Sequence, residues 1–565
     1  MSRFLTLFLF AICSVFPQFL WGGDFWAHAF GDHSKHLWSF WHTYTVFFEG
    51  SWPWTRFLNA PTGGVLWDIM LGPSIVLIPV TGFLGPVAAC HIWIVLSRFL
   101  TMWLQYKAAI LMGAGWAPAC CSAIVLAFTP YVLGYPLVSG VYERLSIWFF
   151  PLIICSVYGF KNWAQALYLG FGFLFLSISC AAYAYYGGMI LFLLECFKWR
   201  DWRKRWALWS VLFIPLAIAV YTGYLSRSEW SLAPQPDRFI WGFSPVYESA
   251  SLSQLFLPFH AAQTRGVDSG DWLLRLCYVG WIPVLSAFYF LWTKKANLDR
   301  LDCKVISLGL LFSILSLGPF VLEIPNVFFW ICACIFPLYG SIPDPFQQVG
   351  IAMPILLLAF AVVCTDRPRW FVPLTVLAFL ELYVSLPDAL WQRISSPDSD
   401  VYEDIEDGVV VDIPRQYQNR EIASSRSFIG QLQHKQPIPF SVYAGVTSWD
   451  SYAPVVEGVS SDWQESLRCL AKSGFRWLVL HTDHYTSVEI ATAQIEEIKK
   501  YIPPSKRTSK AVLFDLSILR ETSTPIRLLP FQPESSIWRV SMPQQESFVS
   551  EGMFSNKQPK CPTGG

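Results

Sequence analysis

Charge is what this sequence has least of. Only 14% of its 565 residues are Asp, Glu, Lys or Arg, against 54% hydrophobic and 17% aromatic, where a water-soluble globular chain carries about a quarter charged. So little charge cannot keep most of the surface in water, which excludes a wholly soluble protein. An excess of one sign is also missing: 40 basic residues balance 40 acidic ones, so nothing points to nucleic acid. No CxxC occurs among the 14 cysteines, and the close pairs Cys120–Cys121 and Cys332–Cys334 sit in apolar runs. Cysteines that close on one helix do not reach disulfide geometry, and their spacing fits no zinc site. Nearly all of them read as small apolar packing residues. The sequence contains no internal repeat.

The shortage of charge is uneven. It is marked before Trp391 and absent after it, so membrane and aqueous parts lie in series. A bilayer core takes about 20 apolar residues in helical form. Candidate spans are 3–21, 88–112, 116–135, 143–160, 163–180, 181–197, 205–224, 271–293, 304–322, 347–364 and 370–387. The first follows Met1-Ser-Arg3 and has no small-residue cleavage site after it, so it reads as a retained helix rather than a signal peptide. The stretch 68–84, which contains Pro73 and Pro79, is the ambiguous one.

Basic residues in short loops stay cytoplasmic. The clusters are Lys198 to Arg205, Lys294-Lys295 through Lys304, and Arg367-Pro-Arg369, with Lys161 a weaker one. All fall on one side, with a cytoplasmic N-terminus, only if 68–84 does not cross. It is therefore read as a re-entrant or interfacial helix, tolerable where it packs against protein. The expected architecture is a polytopic α-helical membrane body over 1–390 with about eleven spans. Loops 22–87 and 225–270 are then exoplasmic, as are 136–142, 323–346 and everything after about 388. A soluble α/β domain over 391–545 follows, then a polar, disordered tail over 546–565.

The unusual residues collect on that exoplasmic face. Directly after the first span, Trp21 to His42 holds Asp24, Asp32, His28, His33, His36 and His42 among Trp38, Trp41 and other aromatics. Residues 34–49 have helical spacing, as in a helix lying along the interface. Asp32 stands at its expected N-cap, where a helix terminus favours a carboxylate. Capping alone would account for Asp32, and an aromatic belt at the bilayer surface would account for the tryptophans. A dense His/Asp group suits a divalent metal ion, although the spacing matches no metal motif. Further on come Asn59-Ala-Pro61-Thr-Gly63-Gly64, Phe128-Thr-Pro130-Tyr131, Ser139-Gly140-Val-Tyr142-Glu143-Arg144, and a helix tip with Tyr183, Tyr185 and Tyr186. Glu143 and Arg144 form a local ion pair or reach into a polar cleft. Loop 225–270 adds Arg227, Asp237, Arg238, His260, Arg265 and Asp268. Arginine pairs with phosphate through two hydrogen bonds, and a solvated loop carries arginines as well.

Taken in order, Gly31-Asp32 with His36-Leu-Trp38 and Trp41, then Asn59-Ala-Pro61-Thr-Gly63-Gly64, then Phe128-Thr-Pro130-Tyr131, resemble the bacterial membrane glycosyltransferases of the GT-C superfamily. The layout is similar over most of 1–390, while residue identity is confined to these strips. The resemblance implies a transferase of the bacterial cytoplasmic (inner) membrane. It would move a sugar from a polyprenyl-phosphate-linked donor to an exoplasmic glycan, lipid or protein. It also implies that a first-loop carboxylate is the base: Asp32, with Asp24 in reserve. His36, Trp38, Trp41, Glu143, Arg144, Arg227 and Arg238 become candidate substrate-binding residues. The paired acids of many relatives are not obvious in this first loop, where Asp24 and Asp32 stand apart, which leaves metal dependence open.

In the C-terminal domain, strands are expected at Val409–Ile413, 477–481 and 511–518, and helices at 461–473 and 487–501. Alternation of this kind gives a small sheet with helices packed on it. His481, Asp483 and His484 cluster at a strand end, where sheet proteins bind ligands, but with no Gly-rich loop and no nucleophile motif nearby they read as a polar turn. Two rival readings stand beside the transferase: a transporter or flippase of lipid-linked sugars, and a non-catalytic envelope assembly protein. Transporters place ionisable residues near the bilayer midplane, whereas most charge here lies in the exoplasmic loops. Arg98, Lys107 and Glu195 are the exceptions within spans.

Overall fold

The computed structural model describes residues 2–19, 25–26, 33–52, 54–58, 60, 63–66, 70–138, 140–159, 163–196, 221, 249–257, 277–294, 300–336, 339, 345–385, 393–394, 399–413, 422–439, 463–485 and 487–519. The expected span 205–224, Tyr221 apart, and the polar tail 546–565 lie outside them. Two compact units divide the chain. The first joins 1–45, 68–224 and 242–395; the second joins 46–67, 225–241 and 396–565.

The first unit is mostly helical. Among the described residues two helices, Ile78–Leu111 and the stretch Pro345–Asp366, are long and apolar enough to cross a membrane, and five shorter apolar helices accompany them. Helix Val349–Asp366 is the centre of the unit, with every residue from 349 to 364 buried. That follows from an unbroken apolar run ending in Asp366-Arg367, since a helix apolar all round has no face for water. Helices Trp116–Ala127, Trp281–Thr293 and Leu301–Leu315 pack around it.

The ambiguous stretch resolves into pieces. Helix Leu71–Val76 comes first, and Ile78–Leu111 follows after Leu77, broken at Gly85 (φ 84°, ψ 167°). Gly85 reaches that conformation without a Cβ, and Pro86 removes a backbone donor just after it. The helical pieces before Gly85 are each far shorter than the roughly 20 residues a crossing takes. A second chain break has a different remedy. Helix Trp281–Thr293 starts after Gly280, which offers no side chain to cap it. Glu381, from helix Pro368–Ser385, fills the place by accepting from Tyr278 Oη and from the Trp281 and Ile282 backbone N–H groups. A carboxylate at a helix N-terminus satisfies orphan donors and complements the dipole.

The second unit is a small mixed sheet with helices. Strand order is Val409–Ile413, Phe475–His481, Ala511–Asp515, Pro504–Arg507. The first pair is parallel and the others antiparallel. The expected strands and helices are present, and helix Ile422–His434 and strand Pro504–Arg507 join them. This unit also claims 46–67, which the sequence assigned to the membrane body's loop. The reason is backbone pairing. Ala60 N–H donates to Ile438 O, Ile438 N–H donates to Phe57 O, and Gln431 Nε2 donates to Phe57 O. Cys469 departs from the packing role expected of the cysteines: it is disulfide-bonded, to a partner whose side chain lies outside the described ones.

Asp412 and His481 end up side by side at the carboxyl ends of the two parallel strands, 2.9 Å apart and both buried. Tyr402 Oη donates to Asp412 Oδ1 at 2.7 Å, and the His434 ring lies 5.3 Å from that of Tyr402. His481 therefore belongs to a buried network with Asp412 rather than to a polar turn with His484. Burial alone would raise the Asp412 carboxyl; the His481 hydrogen bond and charge, then His434 and Tyr402, hold it below the usual carboxylate range. Burial pushes the His434 imidazole down to about 4, with Asp412 pulling weakly the other way.

The sign of the pH dependence follows. The unfolded imidazole takes up a proton near 6.5 and the folded one only near 4, so this contribution is whole above about 6.5 and is lost as pH falls toward 4. Asp412 adds a further loss below the unfolded carboxylate range of about 3.9. The opening free energy of strand Phe475–His481 in the full chain, read from hydrogen exchange corrected for the intrinsic rate at each pH, is expected to fall by about 3 kcal/mol between pH 6.5 and 4. In His434→Gln the slope over that interval flattens.

Candidate active site

Helix His33–Glu49 carries the first-loop histidines into the first unit. His33, His36 and His42 are all buried. His36 Nε2 lies 2.8 Å from Glu143 Oε2. Glu143 belongs to the 3-10 helix Tyr142–Trp148, which leads directly into helix Phe149–Gly159. Arg144 Nε stands 3.7 Å from Glu143 Oε1. The carboxylate is thus held between an imidazole and a guanidinium, and its side chain is 19% exposed against 13% for Arg144.

Arg144 reaches further. Its Nη1 donates to Cys180 Sγ at 3.0 Å, and its guanidinium lies over the Tyr183 ring at 5.3 Å. Tyr183 and Tyr131 share a hydroxyl–hydroxyl hydrogen bond of 2.7 Å, and Tyr131 Oη donates to Gln347 O at 3.4 Å. Tyr131 is delivered by a break in the chain: helix Trp116–Ala127 ends, Pro130 starts a short turn, and a π-helical segment runs over Leu133–Val138. Proline fits a first helical position, and π segments re-aim side chains.

A second tie holds the helix start. His33 Nδ1 and Tyr142 Oη are 2.6 Å apart. This contact needs Gly140, which sits in the left-handed region (φ +71°) and where a Cβ would come within 2.4 Å of His33 Cγ. Trp93 Nε1 donates to Tyr142 O at 3.4 Å from helix Ile78–Leu111. His33 and His36 are one helical turn apart, so adjacent residues of the 3-10 helix, Tyr142 and Glu143, fasten that turn twice.

The structure therefore joins three expected residues, His36, Glu143 and Arg144. Trp38 and Trp41 are placed otherwise. Trp38 is fully buried and stacks on His42 with ring centroids 4.3 Å apart, and Trp41 lies 6.3 Å from Trp38. Burial pushes the His42 imidazole down to about 3, so it is a neutral packing partner. Asp24, Asp32, Arg227 and Arg238 lie outside the described residues; Asp32 is the residue immediately before helix His33–Glu49. Among the described residues no group of three or more His, Cys, Asp and Glu is arranged to hold a metal ion. Sequence reasoning missed the His33–Tyr142 bond and the use of Cys180 as a partner for Arg144. A cysteine in an apolar run gives no signal of that use, whereas Gly140, two positions before Tyr142-Glu143-Arg144, was a visible one.

Over about 90% of its length the chain resembles solved structures of GT-C enzymes. One is the mycobacterial arabinofuranosyltransferase AftD, at TM-score 0.55 and 14% identity, covering 91% of this chain and 40% of AftD. Another is the apo oligosaccharyltransferase of Archaeoglobus fulgidus, at TM-score 0.50 and 10% identity, covering 89% of this chain and 72% of that one. ArnT from Cupriavidus metallidurans bound to undecaprenyl phosphate aligns at TM-score 0.48 and 13% identity, covering 92% and 98%. The chain thus spans well under half the length of AftD. No protein-family model and no curated protein matches its sequence.

Gly140→Ala tests the fastening. The added methyl meets the His33 ring and the backbone must leave φ +71°, a combination that costs roughly 2–4 kcal/mol. Thermal unfolding of the detergent-solubilised chain is expected to shift downward, with hydrogen exchange faster over 33–40.

Proposed function

We propose that this chain is an integral membrane glycosyltransferase using a polyprenyl-phosphate-linked sugar, with its acceptor on the exoplasmic side of a bacterial cytoplasmic membrane. The observation that carries this reading is the largely buried His36–Glu143–Arg144 cluster. Its His36 stands four residues along the chain from Asp32, in a fold similar to two sugar-transferring enzymes at TM-scores of 0.50 and 0.55. The acceptor is a glycan, lipid or protein hydroxyl.

In the proposed reaction the carboxylate of Asp32 takes the acceptor hydroxyl's proton as the oxygen attacks the anomeric carbon. The new carbon–oxygen bond forms on one face while the bond to the lipid phosphate breaks on the other, inverting the centre. The phosphate leaves with the electron pair, and a guanidinium aimed at it stabilises that charge. Arg144 is the described residue suited to this. A phosphate competes with Glu143 for it, and His36 remains to hold the displaced carboxylate. Arg227 and Arg238 are further candidates from the second long loop, Asp24 is the alternative base, and Trp38 and Trp41 stiffen the helix that carries His36. Exoplasmic placement of the second unit is supported by the Cys469 disulfide, because such bonds persist in oxidising compartments.

Buried polar groups in the membrane-crossing helix favour this reading over transport. Arg98 Nη2 donates to Ala127 O, and Gln105 Nε2 donates to Ser122 Oγ and Pro354 O. Both groups bind neighbouring helices together.

Asp32→Asn in the native host is the test, scored by the surface glycan with membrane abundance measured in parallel. Loss of roughly two orders of magnitude in transfer at normal abundance is expected, in line with removal of a general base. An unchanged glycan would move the base to Asp24 or sink the transferase reading.

A further inference from the structure

Between helix Leu301–Leu315 and helix Val349–Asp366 lies a short element that the active-site cluster does not use and of which only the inner face joins the core. Strands Phe320–Val321 and Ile324–Pro325 pair as a tight hairpin. Its two turn residues, Leu322 (φ 50°) and Glu323 (φ 68°), are both left-handed. Turns of this kind are normally made by Asn and Gly, and each non-glycine residue there costs on the order of 1 kcal/mol. Helix Val327–Ile335 follows at once, capped by Asn326, whose Oδ1 accepts from Phe329 N–H.

The element is one ordered body. Asn326 Nδ2 donates back to Ile314 O and Gly318 O, and Asn326 N–H donates to Pro319 O. Trp330 Nε1 also donates to Pro319 O at 3.1 Å, and the Phe320 and Trp330 rings are 6.2 Å apart. Phe329 and Cys332 face inward and are buried.

Its outer face is nonetheless almost wholly apolar. Leu322 is 79% exposed, Ile324 69%, Val327 63% and Ile335 59%, with Phe328 and Ile331 about half exposed. Ile314, at the end of the preceding helix, continues that face. From 305 through 343 the only charged side chain is Glu323. Water is a poor partner for such a face. A helix of nine residues is about 13 Å long, under half the thickness of a bilayer's hydrocarbon core. The 15-residue helix before it covers about 22 Å, so the chain enters the hairpin while still close to the acyl region.

We propose that hairpin 320–325 and helix Val327–Ile335 lie flat in the leaflet that receives the end of helix Leu301–Leu315, with their apolar face among lipid acyl chains. They then form no aqueous loop. Glu323 fixes the depth: its carboxylate stays at the headgroups while Leu322 beside it goes below them. The indole of Trp330, hydrogen-bonded on its polar edge, suits the same boundary. The strain at Leu322 is accepted because only that turn puts a large apolar side chain at the tip. This placement rests on the chain being a membrane protein and is independent of any donor, acceptor or base.

The test is depth-resolved quenching on the full chain in phosphatidylcholine–phosphatidylglycerol vesicles. Leu322→Cys is labelled with a bimane in a Cys13→Ser, Cys334→Ser background, which removes the two cysteines exposed among the described residues. A doxyl group near the headgroup end of the acyl chain is expected to quench the label at least two-fold more than aqueous iodide does. The native Cys334, labelled in a Cys13→Ser background with the element unaltered, should behave alike and guards against a misfolded tip. Quenching by iodide and not by lipid at both positions would overturn the proposal in favour of an aqueous loop. Protection from both quenchers, with disulfide dimers forming through the introduced thiol of the unlabelled Leu322→Cys variant, would overturn it in favour of a second copy of the chain.

Discussion

Removing a carboxylate from water costs several kcal/mol unless new partners replace the solvent. Glu143 is the place where this protein meets that demand inside an apolar bundle. His36 comes from the first-loop helix, Arg144 from the next position along the chain. Arg144 in turn engages Cys180 and Tyr183 at the start of helix Ala181–Cys196. Three segments far apart in sequence are thereby set around one charge. Replacing the trio by well-packed apolar side chains would leave the bundle no less stable in principle. Packing alone therefore does not call for such a trio in a region with so few charges.

The cluster also accounts for irregular backbone around it. The Thr129–Pro130 break and the π-helical segment deliver Tyr131 to Tyr183, and Gly140 lets the His33 ring approach. Regular helices would have filled the bundle more simply. Departures from them gather where side chains from distant parts of the sequence must meet, which is where strain is ordinarily stored.

Much of this was legible beforehand. Apolar runs located helices, of which two among the described residues are long and apolar enough to cross a membrane against the eleven or so expected; alternating strand and helix patterns located the sheet, and Glu143, Arg144 and His36 stood out by type in charge-poor surroundings. The pairing of His36 with Glu143, 107 positions apart in the chain, was not legible, since periodicity carries no information about such distances. Asp412 read as one residue of a buried strand and His481 as one of a polar turn, because their partnership depends on strand order. Strand Pro504–Arg507 has no apolar alternation and so gave no strand signal, and the cap supplied by Glu381 to Trp281–Thr293 comes from another helix entirely. The stretch 46–67 was assigned to the membrane body by proximity in sequence, yet its Phe57 carbonyl and Ala60 amide pair with 431–438.

The order of the four-stranded sheet carries a consequence for how the molecule can assemble. Its two outermost strands present unpaired backbone groups, the usual template for adding a strand from another chain. On one side Val410 N–H is already given to Pro437 O. On the other the edge strand Pro504–Arg507 brings a proline without a donor and two cations, one of them, Lys506, bonded to Glu403. Each border of the sheet is thus closed by a different device. Among the described residues both borders therefore disfavour the addition of a strand from another chain, and with it the simplest route to a fibrillar dead end.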